Sequence, residues 1–118
     1  MNTYDKAYEL AQAVRDSDEM RRLTAAAENL KGNESAKSLV KKYLTEQMKA
    51  DYARITGAAA DESATEHLRD LAVMVANNGA AQEYLQAFIR WQQIASDLQK
   101  IVGEAMMQGL DVLELDKK

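Results

Sequence analysis

Hydrophobic residues recur three and four positions apart along most of the chain, a spacing typical of amphipathic helices. The first such stripe predicts a helix from about Tyr4 to Asp16, with Thr3 as its N-cap; it comprises Tyr4, Ala7, Tyr8, Ala11 and Val14. The polar cluster at residues 16–19 interrupts the stripe and supplies a fresh cap for a second short helix that ends near Leu30. Because no segment alternates apolar and polar residues and Pro is absent, the pattern predicts an all-α protein.

Three further helices are predicted between short polar or glycine-containing breaks. They span about residues 34–55, 64–76 and 80–108, and the breaks are Lys31–Asn33, the loop Gly57–Ser63 and Asn77–Gly79. At the last break, Asn and Gly are expected to end the helix in the left-handed conformation that they tolerate. The inward stripe of the 34–55 helix is predicted to include Ala36, Leu39, Val40, Tyr43, Gln47 and Ala50, widened by Leu44 and Met48.

The last helix has the broadest apolar face. Steps of four and three form a heptad pattern along it: Tyr84, Phe88, Trp91, Ala95, Leu98, Val102 and Ala105. A face this broad favours two neighbours. We expect one to be the 34–55 helix, packed antiparallel as a long hairpin, and the other to be a second subunit. The predicted contacts of a homodimer or another protein partner are Tyr84, Phe88, Trp91, Ile94 and Leu98.

Composition places the chain among soluble globular proteins. Its 118 residues suit a single domain over 1–118, with about 111–118 as a short, frayed tail. A chain of this size is expected to bury about two-thirds of its unfolded surface. The longest purely apolar run, Leu71–Ala76, is far shorter than the roughly 20 residues of a membrane-spanning helix. No basic segment followed by an apolar stretch opens the sequence, so a cytoplasmic protein without membrane insertion is expected.

Few residues offer catalytic or metal-binding chemistry. The chain has no Cys, which excludes disulfides, thiolate metal sites and Cys nucleophiles. The single histidine, His67, has Ala64 where a carboxylate di-iron bundle would have Glu, and it is interpreted as a surface residue. No phosphate-binding loop, nucleophile elbow or calcium-binding loop is present. The sequence therefore predicts no enzymatic activity, no metal and no cofactor.

A basic strip on the 34–55 helix offers a second kind of interaction surface. Although the net charge is −4, residues 1–56 carry ten basic against nine acidic residues, whereas residues 57–118 carry five against ten. The strip comprises Lys37, Lys41, Lys42 and Lys49. One interpretation is a solvated face whose lysines pair locally with Glu34, Glu46 and Asp51. The alternative is direct contact with RNA or an acidic partner, although the acidic balance and the lack of an RNA-module signature make direct nucleic-acid binding the less favoured interpretation.

Several segments resemble the YlbF/YmcA family of small helical proteins of Gram-positive bacteria, which includes the YheA-type proteins. The resemblance covers Tyr4 to Met106. The segments that carry it are Tyr4–Ala11, Ser17–Glu19, the Lys31–Lys37 break into Ser38–Val40, Asn77–Asn78, Ala81–Ala87, Arg90–Trp91 and Leu98–Ala105.

The resemblance implies a bundle built on a long antiparallel hairpin, usually dimeric and without known catalysis. Characterised relatives regulate competence, sporulation and biofilm formation, within a protein complex that influences RNA maturation by a membrane-associated ribonuclease. It thus implies a non-enzymatic regulatory adaptor with regulatory proteins as partners. Some relatives carry iron–sulfur clusters through cysteines; this chain has no Cys, so that property does not carry over.

Overall fold

The computed structural model describes residues 2–58 and 61–114, and this part of the chain contains helices and no strand. Five α-helices follow one another: α1 (Thr3–Arg15), α2 (Asp18–Lys31), α3 (Glu34–Thr56), α4 (Glu62–Ala76) and α5 (Gly79–Met107). A 3₁₀ turn at Asp111–Leu113 follows α5. The prediction of an all-α protein is confirmed. Of the predicted tail and of the loop after Gly57, residues 115–118 and 59–60 lie outside the described residues.

Each α-helix begins at a polar residue whose side chain accepts a hydrogen bond from a backbone N–H of the first turn. These residues are Asn2, Ser17, Asn33, Asp61 and Asn78. Such caps satisfy donors that have no partner within the helix. The predicted cap at Thr3 is wrong by one position, because Asn2 Oδ1 accepts from the N–H of Tyr4 at 2.8 Å and leaves Thr3 as the first helical residue.

The breaks between helices differ in how they reverse the chain. Gly57 ends α3 with φ of 77°, a left-handed conformation that favours glycine. The left-handed conformation predicted for Asn77–Gly79 is wrong: Asn77 has φ of −96°, Asn78 has φ of −124°, and Asn78 already caps α5. Asn77 is the C-cap of α4 and Asn78 is the N-cap of α5, so the chain reverses here without a residue in the left-handed conformation.

The helices pack in a pattern that periodicity did not indicate. The two most extensive contacts join α2 to α5 and α3 to α4, and the long helices α3 and α5 meet over a smaller area. The predicted α3–α5 contact is present, but each long helix packs mainly against a shorter one. Apolar periodicity locates a helix face but carries no information on which face covers it.

An internal repeat underlies this arrangement. Four pairs of buried residues are separated by 45 positions: Ala26 and Leu71, Leu30 and Val75, Ala36 and Ala81, and Val40 and Leu85. The capping residues Asn33 and Asn78 share the same separation. The pair α2–α3 is thus repeated by α4–α5. The first helix of each pair packs mainly against the second helix of the other pair, so that α2 lies on α5 and α4 lies on α3.

The core is confined to the middle of the molecule. The N-terminal half of α3 contributes Ala36, Leu39 and Val40, with Tyr43 and Leu44 packed beside them. Further along, the predicted stripe of α3 is exposed at Met48 and Ala50, and on α5 Val102 and Ala105 are also exposed. The prediction that the α3 stripe faces inward is therefore wrong for its C-terminal end, because no helix of the same chain covers it. The C-terminal end of the α5 stripe is likewise not covered within the chain, and its predicted cover was a second subunit.

The molecule is flat and extended for its size. Its principal extents are 49 × 39 × 15 Å and its radius of gyration is 18.5 Å, against about 13.5 Å for a globular domain of this length. Its accessible surface is 9433 Å², whereas a compact protein of 13.2 kDa exposes about 6400 Å². Only about half of the unfolded surface is buried, so the expected two-thirds is wrong for the isolated chain.

Candidate interaction surfaces

An aromatic row on α5 contains the residues predicted to contact a partner. Tyr84 and Phe88 stack with ring centroids 6.3 Å apart, and Phe88 meets Trp91 at 5.8 Å with the ring planes tilted by 41°. Tyr84 also packs against the buried core. All five predicted contact residues, from Tyr84 through Ile94 to Leu98, are half-buried. The row therefore joins the core of the chain to its surface.

The basic strip lies on the exposed side of α3. Lys37, Lys41 and Lys42 line one shallow concave surface, together with Glu34, Ser38, Thr45, Glu46 and His67. Among the described residues none of these three lysines forms an ion pair. Lys49 pairs with Glu46 at 3.8 Å, as predicted, but Asp51 pairs with Arg54 at 3.2 Å instead of a lysine. The prediction that local carboxylates neutralise the whole strip is therefore wrong for Lys37, Lys41 and Lys42.

A second groove runs beside the strip, where α2, α3 and α5 meet. Its floor is apolar and consists of Leu30, Val40, Leu44 and Tyr84, and three lysines flank it, Lys31, Lys37 and Lys41. Lys31 is held by Glu28 at 3.0 Å. The groove combines an apolar floor with positive charge, so it suits an acidic apolar segment better than a bare phosphate.

His67 is exposed, as the sequence interpretation has it, and lies at the edge of the concave surface beside Lys42. Within residues 2–58 and 61–114, no three acidic or histidine side chains are close enough together to hold a metal ion. No helix in that part of the chain is long and apolar enough to cross a membrane.

The structure also exposes two apolar rows, of which Tyr4, Tyr8 and Met48 belong to apolar stripes predicted from the sequence, whereas Tyr52 and Ile55 were not assigned. One lies on α1 and contains Tyr4 and Tyr8, and the other lies on the C-terminal half of α3 and contains Met48, Tyr52 and Ile55. Both rows have the regular helical spacing of core positions. Periodicity predicts that something covers such a row, but it does not say whether that cover belongs to the same chain.

The described residues thus form a small helical protein with capped helices, a small core and exposed apolar faces. The family model described as control of competence regulator ComK, YlbF/YmcA, matches residues 3–107. The chain belongs to this YlbF/YmcA family, which is a family of regulatory proteins, and the predicted resemblance is confirmed.

The chain is also similar in sequence to curated relatives and in fold to a solved structure. A UPF0342 protein of Desulfitobacterium hafniense is 32% identical over 115 residues, which cover 98% of this chain and 90% of the relative. A UPF0342 protein of Clostridium tetani is 33% identical over 106 residues, which cover 90% of this chain and 91% of the relative. A protein of unknown function (DUF964) from Bacillus stearothermophilus has a similar fold, with a TM-score of 0.68 and 19% sequence identity. The match covers 98% of this chain and 97% of that protein.

Proposed function

We propose that the protein is a non-enzymatic regulatory adaptor of the cytoplasm, acting as a homodimer that binds other regulatory proteins through its helical surfaces. Membership of the YlbF/YmcA family supports the regulatory role, and control of a competence regulator is the process that the family description names. The exposed apolar rows and the half-buried aromatic residues of α5 support action through protein contacts.

The observation that carries the homodimer is the accessible surface. The isolated chain exposes 9433 Å², about 3000 Å² more than a compact chain of its mass. A standard protein–protein interface covers about 800 Å² on each partner. The excess therefore leaves room for a dimer interface and for a further protein partner.

The row from Tyr84 to Leu98 is the proposed contact of α5 within this adaptor. Its five residues are half-buried, and aromatic residues that keep one face open often carry much of the binding energy of an interface. Trp91 and Phe88, with ring centroids 5.8 Å apart, form a tilted aromatic pair within the row. A partner helix packed along the row would bury the part of these five side chains that the helices of the same chain leave exposed.

Sedimentation equilibrium between 1 and 100 micromolar tests the homodimer. The proposal predicts a dimer over most of this range and is wrong if the mass stays that of one chain throughout. Affinity capture from a lysate of a Gram-positive bacterium, with the Phe88→Ala/Trp91→Ala variant as the control, then identifies partners that depend on the aromatic row. If both baits capture the same proteins, the row is not the partner contact.

Direct RNA binding is the second candidate function, and the unpaired lysines favour it. Lys37, Lys41 and Lys42 share one concave surface without a neutralising ion pair in the described part of the chain. Phosphate contacts release counterions, so binding through these lysines would weaken steeply as salt is added.

Mobility shift with single-stranded and structured RNA at two salt concentrations separates the two functions. Salt-sensitive binding that the Lys37→Ala/Lys41→Ala/Lys42→Ala variant loses, and that the exposed control Lys100→Ala keeps, would establish the RNA-binding function. The adaptor proposal predicts no shift with either RNA.

A further inference from the structure

Helix α1 is the element with the least cover. None of its residues is buried, and its contact with α2 is the smallest of the main helix–helix contacts. Tyr4 and Tyr8 are 77% and 74% exposed and lie on one face, one helical turn apart. Isolated helices of about this length are marginal in water. The 13 residues of α1 therefore need a partner surface to stay helical.

The junction between α1 and α2 fixes the direction in which α1 extends. The Ser17 hydroxyl donates to the carbonyl of Val14 at 2.7 Å and accepts from the N–H of Met20 at 3.2 Å. The N–H of Asp16 donates to the carbonyl of Gln12 at 3.0 Å. These bonds end one helix and begin the next within two residues, so they hold α1 in the position in which its apolar row is exposed.

The most exposed apolar row of α3 matches the row on α1. Met48, Tyr52 and Ile55 are 70%, 70% and 80% exposed, and they lie four and three positions apart. Tyr4, Tyr8 and Ala11 have the same spacing on α1. Both rows are therefore about 10 Å long at 1.5 Å per residue. Neither row forms part of the core cluster of its own chain.

We propose that α1 of one copy packs against the Met48–Ile55 row of α3 in a second copy. The inference rests on the proposed homodimer and gives it a contact in addition to the α5 row. A second copy is the occupant because the excess surface of about 3000 Å² per chain is large enough for an obligate dimer. In a two-fold dimer the contact occurs twice, since each copy supplies one α1 row and one α3 row. Four otherwise exposed apolar faces are covered in this way.

Thiol cross-linking tests the contact directly, because the chain has no Cys of its own. Full-length Tyr8→Cys and Tyr52→Cys are mixed, allowed to exchange subunits and treated with a short bis-maleimide. The expected result is a covalent dimer in the mixture, in greater yield than with either variant alone. Lys6→Cys lies on the opposite face of α1, so its mixture with Tyr52→Cys is the control and is expected to give at least fivefold less product.

Sedimentation of substituted chains provides the second measurement. Tyr4→Ser/Tyr8→Ser is expected to raise the dimer dissociation constant at least tenfold, whereas Lys6→Ser/Glu9→Ser, on the polar side of the same helix, is expected to change it less than twofold. A dimer that forms normally but gives no mixed cross-link overturns the α1–α3 contact and leaves the homodimer standing. A chain that is monomeric at all concentrations overturns both.

Discussion

The caps at Asn33 and Asn78 allow a test of the repeated core, because burial sets the energy of each cap. Asn33 Oδ1 accepts from the N–H of Ala36 at 3.0 Å, and Asn78 Oδ1 accepts from that of Ala81 at 3.1 Å. Ala36 and Ala81 are both 0% exposed, so water does not reach their N–H groups. When Asn33 or Asn78 is replaced by Ala, water therefore cannot take the place of the lost acceptor. A typical cap contributes about 1 kcal/mol, and a buried N–H left without a partner costs about 1–3 kcal/mol. We therefore expect Asn33→Ala and Asn78→Ala each to lower the free energy of unfolding by about 2 kcal/mol.

Asn2→Ala is the matched control. Asn2 Oδ1 makes the same type of bond, to the N–H of Tyr4 at 2.8 Å, but this bond is exposed and α1 has no buried residue. Water can take the place of Asn2, so its substitution is expected to cost about 0.5 kcal/mol or less.

Urea denaturation followed by far-UV circular dichroism measures all three variants at one protein concentration. If Asn2→Ala destabilises the protein as much as Asn33→Ala and Asn78→Ala, burial does not set the energy of the caps. A loss below 0.5 kcal/mol for both core caps would equally refute the reasoning.

Three further substitutions separate core, surface and interface. Leu71→Ala removes a side chain that is 3% exposed and is expected to cost about 2–4 kcal/mol in urea denaturation; a loss under 1 kcal/mol would show that the α3–α4 contact is not part of the core. His67→Ala is expected to change stability and association by less than about 0.5 kcal/mol, because His67 is exposed; a metal bound stoichiometrically by the native protein and absent from this variant would contradict that. Trp91→Ala is expected to cost about 2 kcal/mol of stability, since the ring is half-buried against Phe88, and also to weaken dimerisation in sedimentation. Stability lost without any change in association would place Trp91 in the core of each copy alone.

Helix positions were predictable because their signals are local. The polar cluster before α2, the break that ends at Asn33 and the loop Gly57–Ser63 each contain side-chain acceptors for the first turn of the next helix. The structure uses Ser17, Asn33 and Asp61 as caps. The predicted bounds differ from the observed ones by one to two residues in most places. The error at Thr3 arose because Asn2 and Thr3 are both good capping residues and only the backbone geometry selects between them.

The candidate surfaces were predictable only in part. The row from Tyr84 to Leu98 follows from its heptad spacing, and the strip from Lys37 to Lys42 follows from its charge. The exposed rows of α1 and of the C-terminal half of α3 were not predicted as surfaces, because their spacing is that of an ordinary buried helix face, and Met48 was predicted at the edge of the same inward face as Val40. Val40 is buried and Met48 is 70% exposed, since helices of the same chain cover only the N-terminal half of α3.

The sequence by itself determined that the chain is helical, approximately where each helix begins and ends, and which face of each helix is apolar. These properties depend on contacts between residues at most four positions apart, and the spacing of residues records them directly. Only the tertiary structure decided that α2 packs on α5 and α4 on α3, that the two repeats 45 residues apart form one core, and that the distal apolar rows remain uncovered. The pairing of helices depends on contacts between distant positions, and an amphipathic helix presents the same pattern whether its cover comes from its own chain or from another.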